Sequence, residues 1–192
     1  VQETDLTTDE NNSVPKPLKK RGPGYYWPYG LALGVYGLDQ AVKLWAEQSL
    51  GPANSGKSIE LLGGFFRFIY IKNSGASFGM LKDAPWLFAA LAIVATIGII
   101  TWYQVQGTND NWLRLGVGLI LGGIVGNLSD RIFKNGAVTD MFNFPDIEIF
   151  KVFNVADTAI TFGVITILLT TLINAYREHK AEQSANATKG GQ

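Results

Sequence analysis

The chain has 192 residues, 16 basic and 16 acidic, with 47% hydrophobic residues, one histidine and no cysteine. Zero net charge and the lack of a basic stripe with interleaved aromatics exclude nucleic-acid binding as the leading function. Without cysteine there is no thiol catalysis, disulfide or thiolate metal site, and the lone His179 lies in a polar tail, which excludes His-dependent triads and His-rich metal sites.

The charges cluster in the two tails and two connecting stretches, leaving long uncharged runs between them. That is a membrane pattern, since a spanning helix needs about 20 mostly apolar residues to cross a hydrocarbon core of ~30 Å. The expected fold is an all-α membrane protein with four transmembrane helices and a small β element in the first outer loop. Residues 1–24 read as a polar, disordered tail ending in Lys16, Lys19, Lys20 and Arg21. The first span, Trp27 to Ala46, contains Asp39 and Lys43; these charges and the long tail ahead of it argue against a cleavable signal peptide. In the loop from Glu47 to Ala84, Phe65 to Lys72 reads FFRFIYIK, a short strand or hairpin bounded by Gly63-Gly64 and Asn73-Ser74-Gly75.

The second span has its apolar heart at Pro85 to Val105, and the third runs from Trp112 to Phe133, with Arg114 snorkelling near one end. The fourth lies between Asp157 and Arg177, and a polar tail, 178–192, follows the domain 25–177. Trp27, Trp45, Trp86, Trp102, Trp112 and Tyr176 fall near span ends, as an aromatic belt would. The positive-inside rule puts both termini in the cytoplasm and the loops Glu47–Ala84 and Lys134–Ala156 outside.

An ionisable residue at the bilayer centre costs roughly 2.5–3.5 kcal/mol on insertion scales and needs a reason to be there. Asp39, Lys43, Asn127, Asp130, Arg131, Asp140, Asn154 and Asp157 come from separate segments, yet all fall at the outer interface. Each has a structural reading. Asp39 and Lys43, one turn apart, can pair; Asp130 and Arg131 can anchor a helix end; Asn154 can cap the fourth helix with Asp157 in a capping-box arrangement. Gly116, Gly118, Gly122, Gly123 and Gly126 suit close helix packing. Convergence favours chemistry. Two neighbouring carboxylates share a proton, so one acts as base and the other as acid in peptide hydrolysis. Three Asp with nearby Asn could in principle hold Mg²⁺, but Lys43 and Arg131 argue against a strong cation site. A cation-coupled transporter and a non-catalytic membrane scaffold are the alternatives.

At these residues the chain resembles the lipoprotein signal peptidase (signal peptidase II) family over roughly Gly30 to Tyr176. The resemblance rests on Leu38-Asp39-Gln40 with Lys43; Asn73-Ser74-Gly75-Ala76-Ser77-Phe78; Gly122 to Arg131; Gly136-Ala137-Val138-Thr139-Asp140; and Phe153-Asn154-Val155-Ala156-Asp157. It implies Asp140 and Asp157 as catalytic aspartates. It further implies Asn73, Gly75, Asn127, Arg131, Asn154 and Ala156 as substrate-binding or dyad-supporting, and Asp39, Lys43 and Asp130 as structural polar residues. It implies no cofactor and no metal. The implied substrate is a diacylglyceryl-modified prolipoprotein, cut just before the lipidated cysteine by a monomer at the outer face of a bacterial plasma membrane, in contact with membrane lipid. The family usually carries an aromatic after the first catalytic aspartate; here Met141 stands there, with an expected change in packing against the substrate.

Overall fold

A computed structural model of the chain describes residues 24–75, 85–147 and 152–189. The basic cluster from Lys16 to Arg21, the segment Ala76-Ser77-Phe78 and the expected disorder of the tail lie outside the described residues. Four helices, α1 (Trp27–Ser49), α2 (Pro85–Gln106), α3 (Asn111–Phe133) and α4 (Val155–Lys189), accompany three strands, β1 (Ser58–Leu61), β2 (Phe66–Asn73) and β3 (Val138–Asn143). Among the described residues, three helical stretches are long and apolar enough to cross a membrane: Trp86–Gln106, Asn111–Phe133 and Val155–Ser184. The expected first span forms as α1, 23 residues long and so about 34 Å. Asp39 and Lys43 dilute its apolar character, and both are buried on its inward side.

Helix α3 lies at the centre, with α1 and α4 packed closely on it and α2 more loosely. Glycines permit this. A Cβ at Gly118 would sit 2.8 Å from the Pro28 carbonyl oxygen of α1, and one at Gly122 would sit 2.7 Å from that of Ala32. On the other side, a Cβ at Gly116 would lie 2.9 Å from the Gly163 oxygen of α4, and one at Gly123 would run into that of Ala156. So α3 touches both neighbours backbone to backbone, as small-residue interfaces allow. Much of α2 faces outward with Leu87, Leu91, Ile93, Val94 and Ile97 exposed, a surface suited to lipid.

The two ends of α3 are fixed locally. Asp110 caps the start, accepting from the Trp112 N–H at 2.8 Å. At the other end the chain turns through Asn135 and Gly136, both with positive φ, and the Gly136 N–H returns to the Arg131 carbonyl at 2.9 Å. That turn delivers β3 directly above the helix bundle.

The expected FFRFIYIK strand is present as β2, but it is the middle of a three-stranded antiparallel sheet ordered β1-β2-β3. The expected connection Lys134–Ala156 therefore contains a strand. In β3, residues 138–141 are all buried, so β3 lacks the polar–apolar alternation that marks a half-exposed strand. The polar tail expected after Arg177 instead continues α4 to Lys189; residues 178–189 contain no Gly or Pro and are rich in good helix formers. Met141, expected to pack against substrate, is fully buried with Ala46 and Leu50, on the α1 side of the sheet.

Gly123→Ala is expected to destabilise the protein by about 1–3 kcal/mol through overpacking. Gly98→Ala, where an added Cβ meets nothing within 4 Å, should raise the thermal midpoint in detergent slightly, since alanine is the better helix former; the opposite signs of the two shifts check the packing argument.

Candidate functional site

All eight polar residues singled out at the interface gather where the sheet meets the ends of α1, α3 and α4. At the base of the site the Lys43 ammonium lies 2.8 Å from Asp39 Oδ2 and 3.1 Å from Asp130 Oδ2. It also donates to Asn127 Oδ1 at 3.0 Å. All three charged groups are buried. Gln40, part of the Leu38-Asp39-Gln40 motif but given no role from sequence, adds a link by donating to Asp39 Oδ2 at 3.1 Å and to the Gly126 carbonyl at 3.2 Å. Asp39 Oδ1 accepts from the Ala156 N–H at 2.9 Å, tying the first turn of α4 to α1. Ala156 thus supports the site through its backbone. Asp130, read from sequence as a helix-end anchor beside Arg131, is instead buried and bonded to Lys43, Lys134 and the Thr139 N–H.

Three asparagines convert this frame into orientation. Asn127 Oδ1 accepts from Lys43 and from Asn154 Nδ2 (3.1 Å), so its own amide N–H points at Asp157 Oδ1, 2.7 Å away. Asn154 Oδ1 accepts from the Asp157 N–H at 2.8 Å while its amide donates to Asp140 Oδ1 at 2.7 Å. Asn73 Oδ1 accepts from the Gly75 N–H at 3.1 Å, and its amide donates to Asp140 Oδ2 at 2.9 Å. In each case a donor occupies the oxygen, which leaves the N–H₂ for a carboxylate. The Asn154 N–H also reaches Asp157 Oδ2 at 3.3 Å, so the capping-box reading is realised within the same geometry that holds both aspartates.

Asn73 reaches Asp140 through an irregularity in the sheet. Arg67 and Phe68 pair with Asn143 and Phe142, but Ile71, Lys72 and Asn73 pair with Asp140, Thr139 and Val138. Two residues of β2, Ile69 and Tyr70, therefore stand opposite Met141 alone. The bulge turns β2 over, so Asn73 shares a face with Asp140 as its diagonal neighbour. In unbroken register Lys72 would stand opposite Val138.

Asp140 is 2% exposed. Burial pushes its carboxyl up to about 7, and the neighbouring Asp157 adds to the rise; Asn73, Asn154 and Lys43 pull the other way. Arg131 donates to the Asn127 carbonyl at 3.3 Å and lies 5.4 Å from the Phe88 ring centroid, with Asp157, Asp140 and Asp130 near enough to act on its charge. Among the described residues no group of three or more His, Cys, Asp or Glu is arranged to hold a metal ion. The geometry brings the Asp140 and Asp157 carboxylates close enough to act on each other, with the Arg131 guanidinium near both.

Sequence reasoning gave no role to Thr139, Glu47 or Lys134, which join behind β3. Glu47 and Lys134 are 87 positions apart, and a lone charge near a helix end carries no signal of its partner.

The chain is similar to known proteins over most of its length. Residues 31–173 match the family model for signal peptidase (SPase) II. A lipoprotein signal peptidase of Pseudomonas putida is 35% identical over 162 residues, covering 81% of this chain and 92% of that protein. One from Streptococcus pneumoniae is 39% identical over 143 residues, covering 74% and 90%. A solved bacterial membrane enzyme, determined by the in meso method at 2.3 Å, superposes with a TM-score of 0.69 at 25% identity, covering 78% of this chain and 89% of that one.

Two outcomes are expected here. Lys43→Met leaves Asp39 and Asp130 buried without their cation, and should cost about 3–5 kcal/mol of stability, read as a lowered midpoint in detergent. The second concerns pH. An unfolded Asp releases its proton near ~3.9, whereas folded Asp140 keeps it to about 7. The folded state thus binds more protons in between, and the Asp140 contribution is fullest below the lower value and lost as pH rises through 7. Asp140→Asn should therefore gain stability relative to wild type between pH 4 and pH 8; a difference independent of pH would contradict the assignment.

Proposed function

This chain belongs to the signal peptidase II family, and on that footing we propose that it is an aspartyl endopeptidase using Asp140 and Asp157 to cut diacylglyceryl-modified prolipoproteins just before the lipidated cysteine. The observation that carries the reading is Asn154, whose side chain and backbone bind both aspartates at once. The buried pair holds one proton near neutral pH. Its ionised member takes a proton from water, and the resulting hydroxide attacks the scissile carbonyl. The protonated member donates to the developing oxyanion, and a proton then passes to the leaving amine. The proton belongs to the pair rather than to either residue. Asn73, Asn127 and Asn154 hold the carboxylates in place, and Arg131 is placed to orient the substrate backbone.

In the membrane, α1 serves as the fourth span. Its charges are neutralised inward by Asp39, Lys43 and Asp130, which lowers the insertion penalty its sequence carries. Arg114 and Arg177 lie toward the end of the bundle away from the sheet, which favours that end as cytoplasmic. Both termini are then cytoplasmic, and the site of a monomeric enzyme faces the outer leaflet of a bacterial plasma membrane, within reach of a lipid-anchored substrate. A transport reading lacks a path, because below the site Gly116, Gly118, Gly122 and Gly123 close α3 onto its neighbours.

The test is a gel-shift cleavage assay in detergent with a diacylglyceryl-modified prolipoprotein and its unmodified form. Wild type should cut the lipidated form alone, and Asp140→Asn and Asp157→Asn should be inert while folded. Normal turnover by either variant would refute the dyad. In wild type, kcat/KM should fall on the alkaline side with a midpoint of about 7, as the shared proton is lost.

A further inference from the structure

Behind β3, on the face away from the carboxylates, Thr139 is gripped at every polar atom. Its N–H donates to Asp130 Oδ2 at 2.9 Å. Its hydroxyl donates to Glu47 Oε1 at 2.7 Å and accepts from the Lys134 ammonium at 3.1 Å. Its carbonyl accepts from Asn154 Nδ2 at 3.3 Å. Glu47 sits in the last turns of α1, Lys134 at the C-terminal cap of α3, and the two form an ion pair. Lys134 also pairs with Asp130 Oδ1 at 3.0 Å. Thr139 itself is fully buried.

From this we infer that Glu47, Lys134 and the Thr139 hydroxyl are positioning residues for Asp140, a clamp that fixes the strand from behind while Asn73 and Asn154 hold the carboxylate in front. The inference rests on the dyad reading. The coupling runs through Asn154. Its amide has two hydrogens but three acceptors: Asp140 Oδ1 at 2.7 Å, Asn127 Oδ1 at 3.1 Å and the Thr139 carbonyl at 3.3 Å. How those hydrogens are shared depends on where the Thr139 peptide stands. The clamp keeps that carbonyl at the far edge of hydrogen-bond range, so the shortest bond goes to Asp140. A strand free to shift would redistribute the amide and move the acid away from a productive position.

A wholly exposed ion pair would be worth little. This one is different because Glu47 and Lys134 are three-quarters buried, with side-chain exposures of 26% and 24%, and converge on a buried hydroxyl. A clamp of this kind acts on turnover rather than on substrate affinity, since none of its atoms faces the side on which Asp140 lies.

The experiment measures kcat and KM of the full-length enzyme in detergent with the diacylglyceryl-modified substrate for two pairs of variants. Thr139→Val removes the hydroxyl and Thr139→Ser keeps it; Glu47→Ala removes the acceptor and Glu47→Gln keeps one. The expected result is that Thr139→Val and Glu47→Ala lower kcat about 10-fold with KM within about twofold, and that Ser and Gln restore most of it. Glu47→Ala covers the case in which Thr139→Val fails to fold, because Ala is favourable in the partly exposed last turns of a helix. If the removing variants lower only the melting temperature and leave kcat intact, or the conservative variants fail to restore it, the clamp has no positioning role. Asp140→Asn, run alongside, separates the two levels: an inert Asp140→Asn with an unchanged Thr139→Val and Glu47→Ala sinks this inference alone, whereas an active Asp140→Asn sinks the dyad.

Discussion

The ammonium of Lys43 is the point on which the site depends. A lone buried cation would carry a desolvation penalty of several kcal/mol. Here Asp39 and Asp130 both lie within 3.1 Å of it, and Asn127 Oδ1 takes a further N–H. Lys134, 3.0 Å from Asp130 Oδ1, adds a second cation to the cluster, and it also pairs with Glu47. Both carboxylates also hold the chain around them: Asp39 Oδ1 takes the Ala156 N–H of α4, and Asp130 Oδ2, already on Lys43, takes the Thr139 N–H of β3 as well. One buried charge thereby fixes α1, α3, α4 and the sheet relative to each other.

That arrangement needs close approach, since an aspartate side chain is short. Gly126 shows the constraint directly: a Cβ there would lie 2.6 Å from Asp39 Oδ2. The glycines of α3 thus serve electrostatics as well as packing, admitting the carboxylate of one helix to the backbone of another. The polarity of Lys43 is then passed outward by hydrogen-bond direction. Because Lys43 occupies Asn127 Oδ1, the Asn127 amide faces Asp157; because the Asp157 N–H occupies Asn154 Oδ1, the Asn154 amide faces Asp140. An amide rotated by half a turn anywhere in this chain would set oxygen against oxygen, so each bond enforces the next.

How much of this was legible in the sequence follows from the range of each interaction. The helices were legible because apolar length is a local property, and Asp39–Lys43 because one turn of helix brings them together. The convergence of Asn127, Asp140, Asn154 and Asp157 followed from antiparallel spans meeting at one interface. β3 was not legible, because its residues 138–141 are buried on both faces and show no alternation. Nor was the bulge at Ile69-Tyr70, which exists only in relation to Met141 on another strand. Glu47 and Lys134 look like ordinary charges beside helix ends until the fold brings them to Thr139. Asp130, which the resemblance gives as a structural polar residue, differs only from its reading as an interface anchor: its partners lie on α1, at the cap of α3 and on β3.

The buried acid at the centre is held against its own preference. Desolvation and the charge of Asp157 both disfavour ionised Asp140, and the amides of Asn73 and Asn154 offset that only in part. A core built for stability alone would place an apolar residue here or leave the carboxylate in water. The rigid polar frame behind it, from Lys43 through Asp130 to Thr139, supplies the support that keeps such an unfavourable group in one place. Burial and the charge of Asp157 retain the proton on Asp140 toward neutral pH, while Lys43 and the amides of Asn73 and Asn154 pull the other way. The stability given up at Asp140 and the polar contacts gathered around Lys43 are therefore two sides of one arrangement.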